Sequence, residues 1–212
     1  MIFDLDGVLV DSNQIAERHW QSWAKRRGIS FEKNVHTHHG RPTVQTMREV
    51  APHLNAVAEA ALKENAEADD TNGLVAFPGA HRIVSALPED RWAIVTSGTR
   101  RTATTRLTHT VLPRPLCLIT ADDVINGKPD PEPYRKAISQ LGFLPGSCLV
   151  LEDAPAGVKS ARAAGARVIG ISSTNPPSVL ADANCIVSCL DEILVDFVDD
   201  RIAVRIRSLV NI

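Results

Sequence analysis

Two aspartates separated by a single residue, Asp4 and Asp6, lie near the start of this 212-residue chain. Further along come the run Thr96-Ser97-Gly98, a lysine in Asn126-Gly127-Lys128-Pro129, and the adjacent acids Glu152-Asp153. Carboxylates gathered at one point repel one another unless a cation sits among them, and an all-oxygen donor set favours Mg2+ over zinc. A hydroxyl, a lysine and the backbone amides at a helix start suit a phosphate. Together these residues could hold a metal, a phosphate and a carboxylate nucleophile. In an extended chain Asp4 and Asp6 face the same side, and Gly7 lets the chain turn straight after them. Asp4 could then attack phosphorus as the anion. Asp6 could protonate the leaving alkoxide and later deprotonate water, while Lys128 neutralises charge between Asp4 and the phosphoryl oxygens.

Each element also has a plainer reading. Asp-x-Asp at a strand end is often only a turn, and Thr96 or Ser97 could simply cap the next helix. Lys128 could be a solvated loop lysine, Asp130 the cap of the following helix, and Glu152-Asp153 a helix start. What decides between them is placement. Apolar, strand-like segments run from Met1 to Phe3, Trp92 to Val95, Leu116 to Ile119, Cys148 to Leu151 and Arg167 to Ile171. Helical patterns, such as Pro131 to Leu141 and Pro155 to Ala164, lie between them. This alternation predicts an α/β fold, a Rossmann-like open parallel sheet with helices on both faces. Ligands of such sheets bind beyond the carboxyl ends of the strands, which is where the four groups of residues fall.

From Asn13 to about Asn72 the rhythm breaks into consecutive helices: Gln14 to Arg27, Thr43 to Val50 and Ala56 to Ala68. The expected organisation is a core of residues 1–12 and 78–212, with residues 13–77 forming an inserted all-helical cap. Ser12-Asn13 would be the outward linker, and Gly73 with Phe77-Pro78-Gly79 the return. Near the C-terminus Ile202, Val204 and Ile206 alternate with polar residues, predicting an antiparallel edge strand.

Composition narrows the function. A net charge of -2 removes the electrostatic case for a nucleic-acid partner. No apolar run is long enough to span a membrane, and no basic-then-apolar leader precedes Asp4, so a cytoplasmic protein is expected. Cys117, Cys148, Cys185 and Cys189 form no Cys-x-x-Cys pair and lie mostly in apolar stretches, as buried free thiols do in a reducing compartment.

The segments Asp4-Leu5-Asp6-Gly7-Val8-Leu9-Val10-Asp11-Ser12, Val95-Thr96-Ser97-Gly98-Thr99, Gly127-Lys128-Pro129-Asp130-Pro131 and Leu151-Glu152-Asp153-Ala154-Pro155-Ala156-Gly157 resemble, in order and spacing, the four motifs of the haloacid dehalogenase superfamily. The resemblance covers nearly the whole chain, and the helical insertion is similar to that family's cap. It implies that Asp4 is the nucleophile and Asp6 the acid/base, and that Thr96 and Lys128 bind phosphate. It also implies Mg2+ held by Asp4, the Asp6 carbonyl and Asp153, with Glu152 beside it. True dehalogenases of that family lack the second aspartate, so Asp6 points to phosphoryl chemistry. Within the family the chain resembles the glycerol-phosphate and 2-deoxyglucose-6-phosphate phosphatases, through stretches including Ile119-Thr120-Ala121-Asp122-Asp123-Val124 and His39-Gly40-Arg41. Only three residues precede Asp4, where that family's first strand is usually longer. Either the natural start lies upstream or the strand is short.

Five of the seven histidines fall in the insert. His36, His38 and His39 lack the Cys or carboxylate pattern of a metal site and read as a polar loop. The resemblance would hang His39, Gly40 and Arg41 over the active site as substrate contacts. Trp20 and Trp23, one helical turn apart, suggest packing within the insert. The expected activity is Mg2+-dependent hydrolysis of a small sugar or polyol phosphate through an aspartyl-phosphate, by a monomer or homodimer. The alternatives are a sugar phosphomutase on the same scaffold, or a phosphoacceptor signalling or binding domain without turnover.

Overall fold

The computed structural model describes residues 1–30 and 42–207. Six parallel strands form the central sheet: β1 (Ile2–Phe3), β4 (Ala93–Val95), β5 (Cys117–Ile119), β6 (Leu149–Glu152), β7 (Arg167–Ile171) and β8 (Cys185–Val187). Their order is β5-β4-β1-β6-β7-β8. β1 therefore lies between strands reached from opposite directions, the switch point where open sheets form ligand crevices. β1, β4 and β5 are buried throughout, consistent with their apolar runs and with cover on both faces. One apolar cluster, with Phe3, Leu9, Ile83, Trp92 and Leu107, packs on one side of the sheet. The other, with Ile2, Val95, Tyr134, Ile138 and Val168, packs on the opposite side.

Between β1 and β4 the chain runs through β2 (Val10–Asp11), α1 (Asn13–Arg27), α2 (Thr43–Val50), α3 (Ala56–Glu67), β3 (Val75–Ala76) and α4 (Ala80–Ser85). α1, α2 and α3 fall within one or two residues of the helices expected from the sequence. α1 ends at Gly28, whose φ of 66° supplies the left-handed turn that closes a helix. The three helices share a separate small core of Trp23, Ala24, Met47, Ala51, Ala56 and Ala60. Sequence reading left one feature out. β2 and β3 pair antiparallel, with Val10 opposite Ala76 and Asp11 opposite Val75, so the outward and return crossings run side by side.

The remaining helices are α5 (Arg100–His109), α6 (Glu132–Leu141) and α7 (Pro155–Ala163). The C-terminal alternation is a strand, but not an edge of the main sheet. β10 (Arg201–Ile206) pairs antiparallel with β9 (Ile193–Val198) as a separate hairpin, and β8 occupies the edge instead. Alternation reports one solvated face and cannot say which neighbour pairs with it. Cys117 and Cys148 are buried free thiols, whereas Cys189 is exposed. Among the described residues no helix is long and apolar enough to cross a membrane.

Trp23 is 1% exposed and donates its indole N–H to Glu59 at 2.8 Å. Trp23→Ala removes the largest side chain of the insert's core and is expected to cost about 3–5 kcal/mol by urea denaturation. A loss below about 1 kcal/mol would show that this cluster does not hold the insert together.

Candidate active site

The sheet delivers its polar residues at one rim. The chain turns at Gly7, whose φ is 84°, and a Cβ there would lie 2.0 Å from Asp153 Oδ2. Only glycine lets the loop after β1 approach the end of β6 this closely. Asp4, Asp6, Thr96, Ser97, Gly98 and Asp153 line one cavity between the sheet and α1 and α3.

Lys128 is not a solvated loop lysine. It is 1% exposed and donates to Asp4 Oδ1 at 2.5 Å, to Glu152 Oε1 at 2.6 Å and to the Val95 carbonyl at 3.0 Å. An ammonium has three N–H donors, and each meets an acceptor from a different neighbouring strand end. Burial alone would depress the Lys128 pKa, but Asp4 and then Glu152 outweigh it and hold the lysine charged.

Glu152 is equally enclosed. Oε1 accepts from Lys128 and from the Tyr134 hydroxyl at 2.7 Å, and Oε2 from the backbone amides of Asp153 at 3.1 Å and Ala154 at 3.2 Å. Both of its oxygens are thus engaged in holding Lys128 and the turn into α7. Asp153 Oδ2 accepts from the Thr174 hydroxyl, and its backbone carbonyl accepts from Asn175 Nδ2 at 3.1 Å. Asp6 accepts from Ser12 Oγ at 2.6 Å and from an Arg106 guanidinium N–H at 2.5 Å, with Thr96 Oγ1 at 3.5 Å. Thr96 Oγ1 also accepts the Gly98 amide at 3.0 Å. The cap of α5 is Thr99, which takes the Thr102 amide at 3.2 Å, so that plainer role does not fall to Thr96 or Ser97.

Charge arithmetic gives this rim its chemistry. Asp6 and Glu67 face Arg106 and Lys63, and these four charges balance. Asp4, Glu152 and Asp153 bring ligand oxygens within 4.8 Å of one another, and among the described residues Lys128 alone is in ion-pair contact with that group. When all three are ionised, these buried carboxylates outweigh one ammonium by two charges, which a divalent cation bound through oxygen would neutralise. Burial raises the Asp4 carboxyl from 3.8 to about 7, against the pull of Lys128, with Glu152 and Asp6 adding to the rise. Burial, then Asp4 and Glu152, push Asp153 well above the usual carboxylate range. The donor set fits a hard divalent ion.

His36, His38, His39, Gly40 and Arg41 lie outside the described residues. Sequence reading missed Arg106, Tyr134, Thr174 and Asn175. Thr174 and Asn175 follow β7, so the strand-end rule already contained their signal. Arg106 lies within α5 and Tyr134 in the first turn of α6, where no local pattern separates them from other helix residues. Trp20, assigned to packing, stacks edge-to-face on Trp23 at 5.5 Å and also lines the cavity.

Residues 1–171 match the family described as haloacid dehalogenase-like hydrolase. Hexitol phosphatase A of Escherichia coli is 38% identical over 92% of this chain and 92% of its own length. Glycerol-1-phosphate phosphohydrolase 2 of Saccharomyces cerevisiae is 34% identical, over 87% of this chain and 78% of its own. A hydrolase from Pseudomonas syringae superposes with a TM-score of 0.81 at 26% identity, covering 89% of this chain and 93% of that one.

Two outcomes follow from the packing of the rim. A Cβ on Gly157 would lie 1.7 Å from Glu152 Oε1 and 2.3 Å from Oε2. Gly157→Ala is therefore expected to displace Glu152 and cost about 1–3 kcal/mol in urea denaturation, while wild-type stability would show that the carboxylate can yield. Without a cation the folded chain holds the Asp4 proton more tightly than the unfolded chain, so stability should fall as pH rises from 3.8 through about 7. Added MgCl2 should raise Tm at pH 8 and do so less at pH 5, where protons compete for the same oxygens. An equal shift at both pH values would count against a carboxylate site.

Proposed function

The chain belongs to the haloacid dehalogenase-like hydrolase family and is a phosphatase within it; we propose that it hydrolyses small polyol or sugar monophosphates at the rim around Asp4. The observation that carries this reading is the buried Lys128, bonded to both Asp4 and Glu152 beside the Thr96 hydroxyl and the Gly98 amide. That arrangement puts a nucleophile and positive charge where a phosphoryl group would sit. The substrate class follows the relatives, whose names specify hexitol and glycerol-1-phosphate.

Asp4 Oδ attacks phosphorus in line, forming an aspartyl-phosphate as the P–O bond to the alcohol breaks. Asp6 donates a proton to the departing alkoxide, then takes one from the water that cleaves the acyl phosphate. The Thr96–Gly98 turn binds the phosphoryl oxygens, and Lys128, held by Glu152 and the Val95 carbonyl, turns the N–H now on Asp4 to them as the phosphate enters. A Mg2+ ion bound by Asp4, the Asp6 carbonyl and Asp153 would supply charge neutralisation and fix the phosphate for attack. Thr174 and Asn175 orient Asp153 for that duty. Residues 13–77 act as a cap domain over the core of residues 1–12 and 78–212, excluding bulk water and admitting only small substrates. Within that cap, His39, Gly40 and Arg41 contact the substrate hydroxyls.

Phosphate release should depend on Mg2+ and be greater for glycerol, hexitol and hexose phosphates than for nucleotides or phosphoproteins in kcat/KM. Turnover that requires a sugar bisphosphate would make the protein a mutase instead. Asp4→Asn is expected to abolish turnover, and Asp6→Asn to slow it roughly 100-fold or more. Full activity in either variant, or in chelator-treated protein, would overturn the assignment of that group.

A further inference from the structure

Arg106 is a core residue on α5, yet its guanidinium reaches in two directions. One terminal N–H meets Asp6 Oδ2 at 2.5 Å, and the other meets Glu67 Oε1 at 2.8 Å. Glu67 is the last residue of α3 in the helical insert and lies 39 positions earlier in the chain. Arg106 is 6% exposed and Glu67 8%, so water screens their contact poorly, while the contact with Asp6 is half-buried. Glu67 is itself fixed from behind by Lys63, whose ammonium lies 4.6 Å from the centre of the Trp20 ring. A continuous set of charge-assisted contacts thus runs from the wall of the insert to the carboxylate proposed as acid/base.

A guanidinium that bridges two carboxylates imposes orientation as well as charge, because its planar fork fixes the angle between its N–H groups. Asp6 stands at the end of a loop and is held by few groups: Ser12 on Oδ1, Arg106 and the more distant Thr96 on Oδ2. Of these, Arg106 is the one whose own position is set by the insert. We propose that Arg106 is a positioning residue, which holds the Asp6 side chain in its working orientation and does so only while Glu67 anchors it from the insert. This inference rests on the acid/base role proposed for Asp6. It adds that the placement of this group is shared between two separate parts of the chain, through one buried side chain that acts by way of Asp6.

Leaving groups of different basicity separate positioning from bulk structure. A polyol phosphate needs a correctly placed proton donor as its P–O bond breaks, whereas the phenolate of p-nitrophenyl phosphate departs without one. In single-turnover reactions with Mg2+, Arg106→Ala should slow release of the polyol roughly 30-fold or more, yet change p-nitrophenol release by no more than about 3-fold. Glu67→Gln should shift the same ratio in the same direction. The double variant should be no worse than Arg106→Ala, because the two residues act as one unit. Adding guanidinium ion at tens of millimolar should restore polyol release in Arg106→Ala, which a purely structural defect would not allow.

Equal losses on both substrates, no loss on either, or additive effects of the two substitutions would overturn the proposal. If Arg106→Ala fails to fold, Arg106→Lys gives the same reading, since a lysine keeps the charge but cannot span both carboxylates. Asp6→Asn, measured in parallel, distinguishes the two levels. If it leaves polyol release fast, the acid/base reading fails and this inference with it. If it slows polyol release selectively while the Arg106 variants do not, only the role of Arg106 is lost.

Discussion

The burial of one ammonium group governs the arrangement of this molecule. A lysine taken out of water must have its charge met and all three of its donors filled. Lys128 meets both demands with Asp4 beyond β1, Glu152 on β6 and the Val95 carbonyl on β4, three strands adjacent in the sheet. The strand ends must therefore stop level with one another, and Glu152 must be held from its far side by Tyr134 and two amides. Gly157 and Gly7 follow from the same demand, since a methyl group at either would occupy the space of a carboxylate.

Two charge networks meet at this rim and differ in kind. The one through Arg106 closes on itself, acid against base, and joins two regions of the chain. The one through Lys128 remains two charges short. A balanced network stabilises geometry, whereas an unbalanced one buried at the mouth of a cavity stores an affinity for a cation and for the ligands that cation brings. Because Asp4 and Asp6 are only two residues apart and belong to different networks, the proposed nucleophile and the proposed acid/base are held in unlike electrostatic surroundings despite their closeness in sequence.

Much of this was legible before any coordinates. Short apolar runs ending in Asp, Thr or Glu gave the strands and their functional ends, because parallel strands buried on both faces leave a plain apolar signature. The helices of the insert were legible for a similar reason, being long and periodic. What escaped reading depends on contacts distant in sequence. β2 and β3 contain two residues each and have no periodicity to detect. The hairpin of β9 and β10 is half legible, since alternation marks a strand but not its partner. Arg106 contacts Asp6 across 100 residues, and in the sequence it is one more basic residue on a helix already rich in them. Thr174 lies beyond the end of β7, where the strand-end rule points, but in the run Ser172-Ser173-Thr174-Asn175 nothing local marks which residue reaches Asp153.

The pairing of β2 with β3 bears on how such a molecule can change over time. The chain leaves the sheet and returns to it at neighbouring positions, Val10 beside Ala76. A tight turn could bridge that gap, so the topology of the sheet places no demand on the length or shape of what lies between. The intervening helices have their own small core and can drift, lengthen or be exchanged without altering the register of β1. If the insert selects the substrate as proposed, selection can therefore act on one separable stretch of chain while the reaction chemistry stays fixed. The bridge through Arg106 is where that freedom ends, because a replacement segment must again supply a carboxylate in the place of Glu67.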